Sequence, residues 1–212
     1  MERSSVILFL FWSNELHYMK SLLEIIEENN LTGTDKHSFH SYIPHLYDKL
    51  FESRREDEID LLEIGVRDGA SIRLWQKYFP NGKICGIEEK LYHFLYSRTD
   101  INIGKNMSGF TLDRTRIYIG DAYEQEMADC LPMFDIIIDD GSHALEDQKE
   151  FIRLYYSKLK PNGMLIIEDI QRYEHIEILK QLAKSEVEIH DFRNIKNQYD
   201  DIALVIKQKG TK

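Results

Sequence analysis

A chain of 212 residues is long enough to bury one α/β core with a short attachment and too short for two complete domains. The formal charge of −10 and a pI near 5.3 argue against an electrostatic grip on nucleic acid or anionic lipid, so a small molecule or neutral polymer is the expected partner. Cys85 and Cys130, the two cysteines, show no CxxC spacing, which points to reduced thiols, no thiolate zinc site and a cytoplasmic location.

In chain order, the first apolar run is "VILFLFW", Val6 to Trp12. It is too short to span a bilayer and lacks a small-residue cleavage site, so it reads as core packing. Leu16, Met19, Leu23 and Ile26 then recur at helical spacing, predicting an amphipathic helix that ends before "LTGTDK". "HSYIPHLYDKLFESRRED" predicts a second helical piece starting at Pro44. Residues 1–58 are therefore expected to form a helical cap and lid, with the main domain over 59–212.

From Asp60 the pattern changes. "DLLEIGV", "KICGIEE", "RIYIGDA", "FDIIIDD" and "GMLIIED" are short apolar runs, each followed by a polar turn and a helical stretch, which predicts βαβ units and a parallel sheet. Ile72, Trp75 and Phe79 form the buried face of the first crossover helix, and Leu145, Ile152, Tyr155 and Leu159 that of a later one. "RTDINIGKNMSGFTLDRT" reads as a helix remnant and loop, and "KLKPNG" as a turn. "VEIHDFRN" and "DIALVIKQK" are expected to pair as an antiparallel hairpin without an intervening helix. The fold class is thus α/β, five parallel strands plus a C-terminal antiparallel hairpin, under a short helical N-terminal cap.

Ligands bind such sheets outside the carboxyl ends of the strands, and those ends carry the chemistry here. "EIGVRDGAS" puts Glu63 at the end of the first strand, Gly65 and Gly69 in the turn and Ser71 at the start of a helix. A dinucleotide turn, GxGxxG, would have glycine where Arg67 stands, which disfavours a nicotinamide enzyme. Glu88 follows the second apolar run, where a carboxylate can accept from both hydroxyls of a ribose; Asp121 ends the third, placed either to accept from an adenine amino group or to cap a helix. The fourth and fifth strands end in Asp139–Asp140 and Glu168–Asp169. Four clustered carboxylates repel unless a cation lies among them, and oxygen ligands favour a hard ion, Mg²⁺ first, with Mn²⁺ or Ca²⁺ as substitutes. One acid per strand could equally cap a helix; two pairs fit that reading poorly. His143, three residues after Asp140 across Gly141 and Ser142, is placed to act as a general base beside them.

"TGTDKHSFHSYIPHLYDKLF", "LLEIGVRDGASIRLWQKYFPNGKICGIE", "FDIIIDDGSH" and "GMLIIEDI" together resemble the metal-dependent sugar O-methyltransferases of macrolide and tetracenomycin biosynthesis, from about Thr32 to Asp169. The resemblance implies a Rossmann-like class I methyltransferase sheet that uses S-adenosylmethionine (SAM). It implies cofactor contacts from Glu63, Gly65, Gly69, Ser71, Glu88, Asp121 and Asp139, a Mg²⁺ held by Asp140, Glu168 and Asp169, and His143 as catalytic base. The substrate implied is a sugar or glycan hydroxyl, with no nucleic-acid or membrane partner and with room for a homo-oligomer. Ala122 and Tyr123 depart from the pattern, which has a glutamine after "GD". Asp35, Lys36, His40 and Tyr42 are candidates for closing the cleft, and the stretch Asn106 to Thr115 for contacting substrate. A catechol or other vicinal diol is the rival substrate, and a non-catalytic binding protein of the same fold the rival class.

Overall fold

The structure, a computed structural model, describes residues 19–31, 33–90, 109–112, 114–183 and 185–208. The Val6–Trp12 run and Leu16 lie outside them, as do Asn106, Met107, Ser108 and Asp113 of the stretch from Asn106 to Thr115. The cap opens with α1 (Leu22–Asn29), started by a capping box in which the Ser21 side chain accepts from the Glu24 N–H and the Glu24 carboxylate accepts from the Ser21 N–H. Its buried face is Leu22, Ile25 and Ile26; Met19 precedes the helix and is half exposed, so the buried stripe is rotated from the expected one. A short helix, α2 (Asp35–Ser38), leads into a continuous helical stretch of a π turn (Ile43–Tyr47), α3 (Asp48–Phe51) and a 3₁₀ turn (Glu52–Arg54). Pro44 does stand in its first turn.

Among the described residues eight strands follow: β1 (Asp60–Ile64), β2 (Lys83–Glu88), β3 (Gly109–Leu112), β4 (Thr115–Ile119), β5 (Phe134–Asp139), β6 (Leu159–Ile167), β7 (Glu186–Asp191) and β8 (Ile202–Lys207). They form one sheet in the order β3-β4-β2-β1-β5-β6-β8-β7. The five expected strands, β1, β2, β4, β5 and β6, are parallel, and β7 and β8 pair antiparallel beyond them. Four details differ from expectation. β3 adds an antiparallel edge strand to β4, within the stretch read as loop. A four-residue helix, α8 (Arg193–Lys196), interrupts the hairpin connection. "KPNG" is absorbed into β6 as an irregularity of register against β5, with Asn162 left-handed, so there is no separate turn. Leu159 accordingly belongs to that strand.

The crossover helices are α4 (Ala70–Tyr78), α5 (Gln125–Asp129), α6 (Leu145–Tyr155) and α7 (Tyr173–Leu182). They fail to leave either sheet face in water, which is why β1 and β5 are apolar without alternation. One face of β1 sends Leu61 into a core with Trp75, Phe79 and Ile84, and the cap residues Leu22, Tyr42, Tyr47 and Phe51 belong to that same core. The other face sends Leu62 and Ile64 against Phe151, Ile152 and Tyr155. Each fully buried Leu or Ile contributes roughly 1.5–3 kcal/mol by removal from water, so the cap is held by the sheet's own core. Strand order reverses between β1 and β5, flanked by β2 and β6, and this is where the acid-ended loops gather.

Candidate active site

The β-ladder continues into the loops and sets their height. The Gly65 N–H donates to Ile87 O, the Asp140 N–H to Ile64 O and the Glu168 N–H to Asp139 O, each at 3.0 Å. Gly65 must be glycine: its φ is 87°, and a Cβ there would lie 1.9 Å from the Asp140 carbonyl oxygen. The turn and the acid loop are therefore in backbone contact. Gly69 is also left-handed, at φ 77°, and stands at the N-cap of α4.

A cleft of about 570 Å³ opens above these ends, lined by Gly65, Ser71, Glu88, Asp121, Tyr123, Asp140 and His143 among others. Gly33, Thr34 and Asp35 of the cap also line it. Glu88 reaches it with both oxygens engaged, Oε2 accepting from the Arg67 N–H at 2.6 Å and Oε1 more loosely from the Lys90 N–H at 3.4 Å. Asp121 Oδ1 accepts from the Tyr123 N–H at 2.9 Å, an intraloop bond. Tyr123 is a strut between loops: its hydroxyl donates to Asp139 Oδ1 at 2.8 Å and accepts from the Ser142 N–H at 3.2 Å. Asp139 is 2 % exposed, behind the cleft, and burial pushes its carboxyl up to about 7 despite the tyrosine hydroxyl. Glu63, fully buried, also points away from the cleft; its Oε2 accepts from Ser71 Oγ at 2.7 Å and from Trp75 Nε1 at 3.2 Å. Of the seven expected cofactor contacts, the structure thus brings Gly65, Ser71, Glu88 and Asp121 to the cleft and sets Glu63 and Asp139 in the interior, with Gly69 heading the helix.

At the other end of the cleft stand Asp140 and His143, with Asp169 buried beside them. One ligand atom from each lies within 4.8 Å of the other two, a grouping able to hold a metal ion. His143 Nε2 is 3.5 Å from Asp140 Oδ1 and its Nδ1 is 3.3 Å from Asp169 Oδ2. Burial pulls this imidazole's pKa down, but the hydrogen bond to Asp140 and the charges of Asp169 and Asp140 outweigh it and raise the pKa to about 9. Flanked by two carboxylates, it is held protonated at neutral pH in this arrangement. His143 (φ 59°) and Asp169 (φ 55°) are both left-handed non-glycine residues, strain of roughly 1–3 kcal/mol each that packing must hold in place.

The third expected metal ligand, Glu168, is not in this group. It is buried, taking Lys36 Nζ on Oε2 at 2.6 Å and the Tyr47 hydroxyl on Oε1. Lys36 stands between Glu168 and Asp140, and it and Tyr42 carry the cap's contribution. The Tyr42 hydroxyl donates to Asp169 Oδ1 at 2.8 Å and accepts from the Asp169 N–H at 3.1 Å, while His40 Nδ1 lies 3.3 Å from Asp169 Oδ1. Tyr47 and Asp200, which lies 3.4 Å from His40 Nε2, are members of the cluster that sequence reasoning missed. Their only local signal is a polar atom on an otherwise apolar or loop segment, which many surface residues share.

The methyltransferase domain family (Methyltransf_24) matches residues 62–170. Demethylmacrocin O-methyltransferase of Streptomyces fradiae is 30% identical over 63% of this chain and 32% of its own length. Mycinamicin VI 2''-O-methyltransferase of Micromonospora griseorubida is 31% identical over 65% of this chain and 33% of its own. The chain thus spans about a third of the length of these curated relatives. In fold it is similar to the MycE methyltransferase of the mycinamycin pathway, solved with Mg and SAH, at 24% identity and a TM-score of 0.67 over 91% of this chain and 56% of that one. Because the family match covers half of the chain and contains β1, the glycine turn and both acid-ended strands, the protein belongs to the methyltransferase domain family.

Proposed function

We propose that this chain is a SAM-dependent, divalent-cation-dependent O-methyltransferase acting on a sugar hydroxyl, such as one of a deoxysugar like rhamnose in a glycan or glycoside. The observation that carries the reading is the meeting, in one cleft, of a glycine turn and acid-ended strand at one end with Asp140 and His143 at the other, where the buried Asp169 joins them in a metal-compatible group. Similarity to relatives named for sugar methylation supports the substrate class.

In this reading Gly65 lets the cofactor pass close to the backbone, and Glu88 offers the remaining lone pairs of its carboxylate to the ribose. Asp121 serves the adenine end. The donor set of two carboxylates and an imidazole fits Mg²⁺ or Mn²⁺, with Asp140 and Asp169 as the oxygen ligands. A divalent cation bound there supplies positive charge that makes a sugar hydroxyl more acidic and offsets the carboxylates that hold His143 protonated. His143 then receives the hydroxyl proton as the oxygen forms its bond to the methyl carbon and the carbon–sulfur bond breaks, giving a methyl ether and S-adenosylhomocysteine (SAH). Positioning supplies most of the rate. The cap, through Gly33, Thr34 and Asp35, closes the cleft and contributes to acceptor recognition.

The same acids suit any vicinal diol, so a catechol is the second reading. Labelled SAM offered with rhamnosides and other deoxysugar glycosides, beside a catechol panel, separates them. Transfer to sugars supports the proposal; transfer to catechols alone replaces the substrate class, and transfer to neither, with SAM binding intact, favours a binding protein.

A further inference from the structure

The cap inserts a positive charge into the acid cluster. Lys36, in α2, is completely buried, and its Nζ lies 2.6 Å from Asp140 Oδ2, 2.6 Å from Glu168 Oε2 and 3.1 Å from Glu63 Oε1. Those carboxylates end β5, β6 and β1, so one ammonium meets three strand ends. An ammonium has three N–H donors and no acceptor; here it donates to Asp140 Oδ2 and Glu168 Oε2 and makes an ion pair with Glu63 Oε1, which takes no hydrogen bond. The remaining oxygens of the two deepest acids are also committed, Glu168 Oε1 to Tyr47 and Glu63 Oε2 to Ser71 and Trp75. The other oxygens of the cluster behave differently: Asp140 Oδ1 and Asp169 Oδ2 face His143.

We propose that Lys36 is a resident cation of the acidic site, a positioning residue that takes up Glu63 and Glu168 and leaves a divalent ion the carboxylates of Asp140 and Asp169, beside His143. The proposal rests on the cation-dependent reading above and adds a division of labour to it. Without Lys36, Glu63 and Glu168 would be buried acids lacking a counter-charge, a costly state that a divalent cation could relieve. The lysine thereby also clamps the cap to the site.

Mn²⁺ binding, followed by electron paramagnetic resonance on the full chain, tests this alongside thermal melts in EDTA and in Mn²⁺. In the parent background, Asp169→Asn should weaken Mn²⁺ at least about tenfold and Glu168→Gln by less than about threefold. Lys36→Met should melt earlier in EDTA, regain stability with Mn²⁺ and bind Mn²⁺ at least about tenfold tighter than the parent. In that background Glu168→Gln should now weaken binding at least about tenfold, a switch that loss of a merely structural lysine would not produce. Equal weakening by Glu168→Gln and Asp169→Asn in the parent overturns the proposal, as does Mn²⁺ affinity unchanged by Lys36→Met. If Lys36→Met does not fold, the parent-background comparison of the two acid variants still decides. Binding by Lys36→Met but not by the parent would uphold the resident lysine and sink the cation-dependent reading instead; no binding by either overturns both.

Discussion

Gly65→Ala probes the joint between the cofactor turn and the acid loop. The new methyl would stand 1.9 Å from the Asp140 carbonyl oxygen, 2.6 Å from its carbonyl carbon and 3.1 Å from Gly141 Cα. None of these is the end of a flexible side chain, so relief requires the ends of β1 and β5 to separate. Holding a non-glycine residue at φ 87° costs roughly 1–2 kcal/mol, and overpacking against fixed backbone about 1–3 kcal/mol more. The sum, about 2–5 kcal/mol, is a large share of the 5–15 kcal/mol of stability typical of a domain, taken as an order of magnitude. Gly69→Ala, at φ 77°, is the comparison for the backbone contribution alone and should cost roughly 1–2 kcal/mol. Urea denaturation gives the stabilities, and calorimetric titration with SAH gives the affinity of whatever folds. Gly65→Ala should lose about 2–5 kcal/mol and bind SAH at least about tenfold more weakly. Stability within about 0.5 kcal/mol of the parent together with unchanged SAH affinity would refute the argument.

Other outcomes are equally checkable. His143→Ala should keep SAH affinity but lower kcat by roughly a hundredfold or more, as loss of a general base does, and flatten the limb of the pH–rate profile that the parent shows; a parent-like rate and profile would assign the proton to another group. In EDTA, the stability that His143 gains from Asp140 and Asp169 is fully present below its unfolded pKa of 6.5 and is lost as pH rises through about 9. At about 1.4 kcal/mol per pH unit that gap is worth at most about 3 kcal/mol, so melting temperature should fall over this window in the parent and less in His143→Gln; parallel curves would contradict the ion pairs. Tyr42→Phe removes one acceptor and one donor from Asp169 and leaves its buried N–H unpaired, which should destabilise by about 1–3 kcal/mol in chemical denaturation and weaken Mn²⁺; a neutral substitution would mean that Asp169 is held by other contacts.

The parts of this molecule that are legible in sequence are those whose signal is local. Five apolar runs ending in acids state the parallel strands and the rim on which Glu88, Asp121, Asp140 and Asp169 stand, because strand period and strand end are both encoded within a few residues. Gly65 is legible for the same reason. Lys36 is different: its partners lie 104 and 132 residues away, and nothing in "TDKHSFHSY" distinguishes a buried ammonium from a solvated one. The interior placement of Glu63 and Glu168 follows from that lysine and was hidden with it. β3 is four residues long and exists through pairing with β4, so its own sequence need not look like a strand. "KPNG" carries turn chemistry, yet a left-handed Asn162 lets the chain keep its pairing with β5 through an irregularity.

The central claim is methyl transfer from SAM to a sugar hydroxyl that depends on a cation held by Asp140 and Asp169. Initial rates of transfer to a rhamnoside, measured against free Mg²⁺ from excess EDTA to saturation, test it most directly. The account predicts a rate that is abolished in EDTA, rises to saturation with Mg²⁺, and needs at least about tenfold more Mg²⁺ in Asp169→Asn. A full rate in excess EDTA, unchanged by added Mg²⁺, would contradict it.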